Sequence, residues 1–256
     1  KIEHPMALDH LDEILANCDA VMVARGDLGV EIPLEEVPIA QQKIIDSALE
    51  LGMPVIVATQ MLETMTVNPR PTRAEVSDVS TAIRQGATGV MLSGETASGK
   101  YPVESVQTMS RIAVSTEQGL QSSDLKPESA TRFKSTRAVA HAGVELAKMA
   151  GASRILVATE RGNAPRLVSS YRPGMPVTAV TDSLVTARRI QILSGVDSVI
   201  VEEYERGSKT MQNAIALQLD SGKVQPGDKI VAISGSPKAI SGLTTVSYTH
   251  LTLPTS

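Results

Sequence analysis

Asp19-Ala-Val-Met-Val-Ala-Arg-Gly-Asp-Leu-Gly29 begins as an apolar, β-branched run and closes on a charged, turn-prone cluster. The same grammar returns at Val55-Ile-Val-Ala-Thr-Gln60 and, in shorter form, at Val90-Met-Leu-Ser-Gly-Glu95. Uninterrupted hydrophobe over three or four residues predicts strands covered on both faces, as in a parallel sheet. Helical patterns lie between them. Ile44, Ile45, Ala48 and Leu49 form one apolar stripe, which predicts a helix over about Pro38–Leu51 with Gly52 as its stop. Thr72-Arg-Ala-Glu75 has the spacing of a capping box, in which each side chain satisfies an amide at a helix start. Val76, Val79 and Ile83 then continue the stripe, and Pro102 opens a further helix through about Glu117. The βαβα cadence assigns the chain to the α/β class.

Working outward, Lys1-Ile2-Glu3 reads as the C-terminal tip of a further strand whose start is expected upstream. Three strands and a tip are too few for a closed eight-stranded barrel. A polar stretch, residues 119–135, breaks the cadence with Ser122, Ser123, Asp124, Lys126, Pro127 and Glu128, and is expected to be a linker. The cadence restarts over 136–245. A helix is predicted over about Thr136–Ala150, with Val139, Gly143, Leu146 and Ala150 on one stripe. Strands follow at Ile155–Ala158, Val177–Val180, Val199–Val201 and Lys229–Ile233, separated by helices near Ala164–Tyr171, Ser183–Leu193 and Lys209–Asp220. That is an open, doubly wound sheet. The final segment, 246–256 (VSYTHLTLPTS), abandons the pattern and resembles a translated transposase sequencing adapter; it is expected to lie outside the fold.

Composition narrows the function classes. The 256 residues suffice for one large domain or two modest ones, and 42% apolar with 20% charged residues is a globular balance. With 24 Lys and Arg against 28 Asp and Glu, the net charge is −4, so no basic field exists to hold nucleic acid. Aromatic residues are only 2%, too few for base-stacking platforms or interfacial belts. No stretch reaches 18 uninterrupted apolar residues, so no membrane span is expected. Cys18 is the single cysteine, which excludes an internal disulfide and fits a reducing, cytoplasmic setting. It reads as a small buried or half-buried side chain, and the ten methionines as core filler.

In parallel α/β folds the chemistry gathers where strands end. The ends here carry Lys1 and Glu3, then Arg25, Gly26 and Asp27, then Thr59 and Gln60, then Ser93 and Glu95. A cation, a few carboxylates and two hydroxyls on one rim suit a hard divalent metal and a phosphorylated acidic substrate. Glu3 and Asp27 fit as metal ligands. His4 is set aside, because alternation along a strand points it away from Glu3. Asp27 also suits a helix cap, and Thr59 and Ser93 also suit strand-end hydroxyls bonded to local backbone.

Lys1-Ile-Glu3, Val21–Ile32 (VMVARGDLGVEI), Ala58–Glu63 (ATQMLE), Asn68–Asp78 (NPRPTRAEVSD) and Met91–Thr96 (MLSGET), in this order and spacing, closely resemble the pyruvate kinase family, with the similarity reaching about Thr245. The resemblance implies a partial (β/α)8 TIM barrel, its last strands only, over residues 1–118, followed by a three-layer α/β C-terminal regulatory domain with a mainly parallel sheet over 136–245. It also implies Mg2+-dependent (or Mn2+-dependent) phosphoryl transfer from phosphoenolpyruvate to ADP in a glycolytic enzyme. By the same resemblance Lys1 stabilises the phosphoryl group and the enolate, while Glu3 and Asp27 hold the metal. The Gly26 and Asp27 amides receive the substrate carboxylate, Thr59 contacts it too, and Thr59 with Ser93 belongs to the protonating relay. The K+ site is implied to lie in the part not represented here, so the fragment alone is expected to be inactive and prone to associate through open strand edges; the intact protein is implied to be a homotetramer.

The loop Thr159, Glu160, Arg161, Gly162, Asn163, Ala164 joins a strand to a helix, a geometry suited to phosphate. The resemblance implies a sugar-phosphate or nucleotide effector there, with Ser234–Pro237 opposite. Arg161 and Asn163 depart from the hydroxyl-rich family pattern and leave the effector's identity open. Two other classes stay open: a non-catalytic module that senses a phosphorylated metabolite, and another barrel enzyme handling phosphoenolpyruvate, such as a metal-dependent aldolase or lyase.

Overall fold

The computed structural model describes residues 1–120, 134–202, 208–235 and 244–250. The chain divides into two compact units, Lys1–Leu125 and Lys126–Ser256. The linker expected at 119–135 lies almost wholly outside the described residues.

In the first unit, helices α1 (Pro5–Asp9) and α2 (Leu11–Ala16) precede strand β1 (Val21–Ala24), which runs directly into α3 (Arg25–Glu31). Then come α4 (Val37–Glu50), β2 (Val55–Ala58), α5 (Arg73–Arg84), β3 (Gly89–Met91), the single turn α6 (Gly94–Ala97) and α7 (Pro102–Gln118). The strands lie in the order β1-β2-β3 and are all parallel, with Val21 opposite Val55 and Ile56 opposite Gly89. Ile2 bridges Val23 in parallel on the outer side of β1, its amide donating to Met22 O at 2.8 Å. Lys1 and Glu3 are thereby fixed at the edge of the sheet. Val23, Val55 and Val57 are fully buried against Ile44, Ile45 and Ala48 of α4 and Val79 and Ala82 of α5. Each CH2 group removed from water in such a core contributes about 0.8 kcal/mol.

The capping box forms as the spacing predicts. Thr72 Oγ1 accepts from the Glu75 amide while the Glu75 carboxylate accepts from the Thr72 amide. Val76, expected on the buried stripe, is exposed, because the apolar face of α5 starts one turn later at Val79. Cys18, expected buried or half-buried, is exposed in the polar turn between α2 and β1. Met53, Met61, Met65, Met109 and Met211 are core residues, whereas Met6 and Met149 are exposed.

The second unit comprises α8 (Lys134–Ala150), β4 (Arg154–Ala158), α9 (Asn163–Ser170), β5 (Val177–Thr181), α10 (Leu184–Arg189), β6 (Val196–Ile200), α11 (Ser208–Asp220), β7 (Lys229–Gly235) and β8 (Thr244–His250). The sheet order is β6-β5-β4-β7-β8, parallel except for β7 with β8. Alternation along β4 explains its three layers. Ile155 and Val157 pack with Val144 of α8 and Leu167 of α9, while Leu156 and Ala158 pack on the opposite face with Met211 and Ala214 of α11. On α8 the predicted Gly143 is buried and Val139 and Leu146 are half-buried against the core, whose fully buried contributors are the neighbouring Ala140, Val144 and Ala147.

Residues 246–256 were expected to stand outside the fold, yet Thr244–His250 pairs antiparallel with β7 along its whole length, from Lys229 opposite His250 to Gly235 opposite Thr244. The physical reason is local: Thr244, Thr245, Val246, Tyr248 and Thr249 are β-branched or aromatic, and β7 otherwise offers an unpaired edge.

Candidate active site

Because β1, β2 and β3 are parallel, their C-terminal ends share one rim, and the chain turns there at Arg25, Thr59 and Leu92. Ile2, bridged to Val23, brings Lys1 and Glu3 to the same rim. Lys1 Nζ lies 2.6 Å from Glu3 Oε2 and 3.1 Å from Asp27 Oδ2. All three side chains are about half exposed, that of Lys1 at 51%, so the cluster faces solvent and is open to a ligand. Its bonds to Glu3 and then to Asp27 hold the Lys1 ammonium above its ordinary pKa, and the bond from Lys1 holds the Asp27 carboxyl below its own. Three of the expected residues, from two strand ends, thus meet at one point.

Asp27 lies in the first turn of α3. The Gly26 amide, expected to receive the substrate carboxylate, donates to Thr59 Oγ1 at 2.8 Å. The register explains this, since Ala24 opposite Ala58 sets residue 59 beside residue 26. A Cβ at position 26 would stand 3.2 Å from Thr59 Oγ1, so glycine allows this approach without crowding. Thr59 and Gln60 themselves adopt left-handed backbone, with φ of 72° and 52°. Ser93 caps α6 by position, its own amide donating to Glu95 Oε2 at 2.7 Å. His4 is an N-cap, its Nδ1 accepting from the Met6 amide at 3.2 Å.

Sequence reading gave no role to three groups that hold the rim together. The Arg25 guanidinium donates to Thr59 O at 2.7 Å and Gln60 O at 3.1 Å and pairs with Asp78 at 2.7 Å. The Glu95 carboxylate, fully buried, accepts from the Leu62 amide at 3.0 Å as well as from Ser93. Arg25 and Glu95 were visible as strand-end residues and Asp78 as part of a helix, all three inside quoted motifs but with no partner assigned.

In the second unit, Thr159 is buried and its Oγ1 accepts from the Gly162 amide at 2.8 Å, closing the loop on itself. Gly162 has φ of 86° and caps α9. Arg161 and Asn163 are exposed, and Ala164 is half-buried. Ser234–Pro237 lies only partly within the described residues.

Rim and fold together define a two-unit, parallel α/β protein with its charged groups gathered at strand ends. Residues 1–106 match the family model of the pyruvate kinase barrel domain, and residues 137–247 that of the pyruvate kinase alpha/beta domain. Pyruvate kinase from Staphylococcus epidermidis is 44% identical over 254 residues, 98% of this chain and 43% of that protein. Pyruvate kinase from Geobacillus stearothermophilus is 42% identical over 257 residues, with the same coverage of each. The crystal structure of a pyruvate kinase from Cryptosporidium parvum superposes with a TM-score of 0.87 at 35% identity, covering 98% of this chain and 50% of that one. The chain belongs to the pyruvate kinase family, and it spans half or less of the length of these relatives. Among the described residues no helix is long and apolar enough to cross a membrane.

Proposed function

We propose that the complete protein is a cytoplasmic pyruvate kinase, which moves the phosphoryl group of phosphoenolpyruvate to ADP and releases pyruvate and ATP. The observation that carries the reading is the Lys1 ammonium seated between Glu3 and Asp27 at the strand-end rim of a chain of this family. The two carboxylates fit Mg2+ or Mn2+, because such hard cations take one or two protein carboxylates and complete their shell with water and substrate oxygens. When bound, the cation supplies neutralisation of phosphoryl and enolate charge.

The remaining work falls to the chain's own residues, since phosphoryl transfer needs positioning and charge stabilisation more than covalent help. The Lys1 ammonium stabilises negative charge on the transferring phosphoryl group and then on the enol oxygen. The Asp27 amide orients the substrate carboxylate, joined by Gly26 when Thr59 yields or shares its amide. Thr59 Oγ1 accepts one bond and keeps its own hydrogen to donate; with Ser93 it belongs to the hydroxyl and water relay that brings a proton to the enolate carbon. The bond between phosphorus and the enol oxygen breaks as one forms to the terminal phosphate of ADP, and uptake of one proton completes pyruvate.

The Thr159 to Ala164 loop, with Arg161 and Asn163 exposed at the start of α9, takes an anionic effector on this reading. K+ dependence and a homotetramer belong to the complete protein.

Pyruvate formation coupled to a dehydrogenase, measured on the complete protein, tests the proposal. Lys1→Met lowers kcat by about 100-fold or more, and the 256-residue chain alone gives no turnover. Absence of ADP-dependent turnover in the complete protein, with sugar-phosphate binding intact, overturns the proposal in favour of a sensing module.

A further inference from the structure

Arg25 stands beside Asp27 on the same rim, yet its side chain is only 10% exposed, against 51% for Lys1. Its donors are directed at protein, not at solvent. Nε and Nη2 both reach Thr59 O, at 3.3 and 2.7 Å, Nη2 reaches Gln60 O at 3.1 Å, and Nη1 reaches both carboxylate oxygens of Asp78 at 2.8 and 2.7 Å. A substrate anion would find this guanidinium already engaged.

What it grips is unusual backbone. Thr59 and Gln60 are successive non-glycine residues with positive φ, a conformation that L-residues visit singly and that β-branched side chains avoid. Such a turn persists only where its surroundings over-determine it. Here the surroundings are charged: the Arg25 cation holds the carbonyls of residues 59 and 60, and the buried Glu95 anion holds the amide of Leu62. A planar, five-donor guanidinium suits two adjacent carbonyls and a carboxylate together, which a lysine ammonium does not. The result of the turn is the 2.8 Å contact between Thr59 Oγ1 and the Gly26 amide.

We propose that Arg25, anchored by Asp78, is a positioning residue that fixes the left-handed Thr59–Gln60 turn and thereby sets the Thr59 hydroxyl against Gly26. Its kinetic consequence rests on the reading of Thr59 and Gly26 as substrate-side groups, whereas its structural consequence does not.

The test has two independent arms, with Arg25→Lys, Arg25→Met and Asp78→Asn as variants. Arg111→Met, a change on α7, serves as control. In the first arm, amide hydrogen exchange at Gly26 is followed by NMR in the full chain, with Ile45 as a core reference and circular dichroism as the check on folding. Exchange at Gly26 rises at least tenfold in Arg25→Lys, less in Asp78→Asn and not in the control, with Ile45 unchanged. Should Arg25→Met fail to fold, Arg25→Lys carries the result. In the second arm, steady-state kinetics of the complete protein with Thr59→Ala, Arg25→Lys and the pair form a cycle. The pair loses no more in kcat/KM than Thr59→Ala alone, because Arg25 acts through Thr59. Unchanged exchange at Gly26 in folded Arg25→Lys, or losses that multiply in the pair, overturns the proposal. Raised exchange with kinetic constants unmoved upholds the positioning and removes Thr59 from the substrate.

Discussion

A lysine that satisfies two carboxylates at 2.6 and 3.1 Å is the smallest unit of the account. Lys1, Glu3 and Asp27 were legible in the sequence because each sits at a strand end, and parallel strands bring their ends to one rim. The partners of Arg25 were not legible: Asp78 lies 53 residues away, and nothing in local spacing tells which helical acid reaches a given strand end. Nor does a sequence reveal that the Gly26 amide is occupied, since that depends on the β1–β2 register. Gly162 is a further residue whose need for glycine is now explicit. Its φ is 86°, and a Cβ there would meet Ile190 Cγ2 at 2.9 Å. Left-handed backbone and crowding against a buried side chain act together, so Gly162→Ala destabilises the second unit by about 1–3 kcal/mol. Urea unfolding followed by circular dichroism measures it; an unchanged midpoint removes the strain argument.

Among the elements, α5 was read most fully, because a capping box and an apolar stripe are both local signals. Glu75 extends that box across the chain, accepting from the Thr64 amide at 2.7 Å and from Thr64 Oγ1 at 2.6 Å as well as from Thr72. Partial burial pushes its carboxyl pKa up, but the bonds from Thr64 and Thr72 outweigh this and hold it below its ordinary value. A carboxyl depressed in the folded state contributes stability above its unfolded pKa and loses it as pH falls through the folded one. Glu75→Gln therefore lowers the melting temperature at pH 7, and its difference from wild type shrinks as pH falls through the depressed pKa of folded Glu75; a difference that stays constant down the acid range contradicts the assignment. Two elements were read less fully. On α8 the predicted Val139 and Leu146 flank the core, while Ala140, Val144 and Ala147 fill it beside the predicted Gly143, because the sheet decides which flank of the stripe is covered most deeply. Strand β8 was missed because a break in the pattern and a resemblance to a translated adapter set its segment aside, whereas an open edge of β7 pairs with β-prone sequence of any origin.

At the scale of the whole molecule, the α/β class and its two mainly parallel sheets followed from the cadence of buried runs, and the family from motifs in order. The chain covers only 43% of the Staphylococcus epidermidis relative, and this separates two properties of the site. Turnover is proposed for the complete protein alone. Both carboxylates proposed to hold the metal, by contrast, lie within the first unit, where Ile2 docks on β1 and brings Glu3 to the rim that carries Asp27. The most direct test is Mn2+ binding to the 256-residue chain, read by electron paramagnetic resonance as loss of the free-ion signal. The account predicts saturable binding of one Mn2+ that is abolished in the folded Glu3→Gln, Asp27→Asn double variant. Binding of Mn2+ by that double variant as tightly as by the wild-type chain contradicts it.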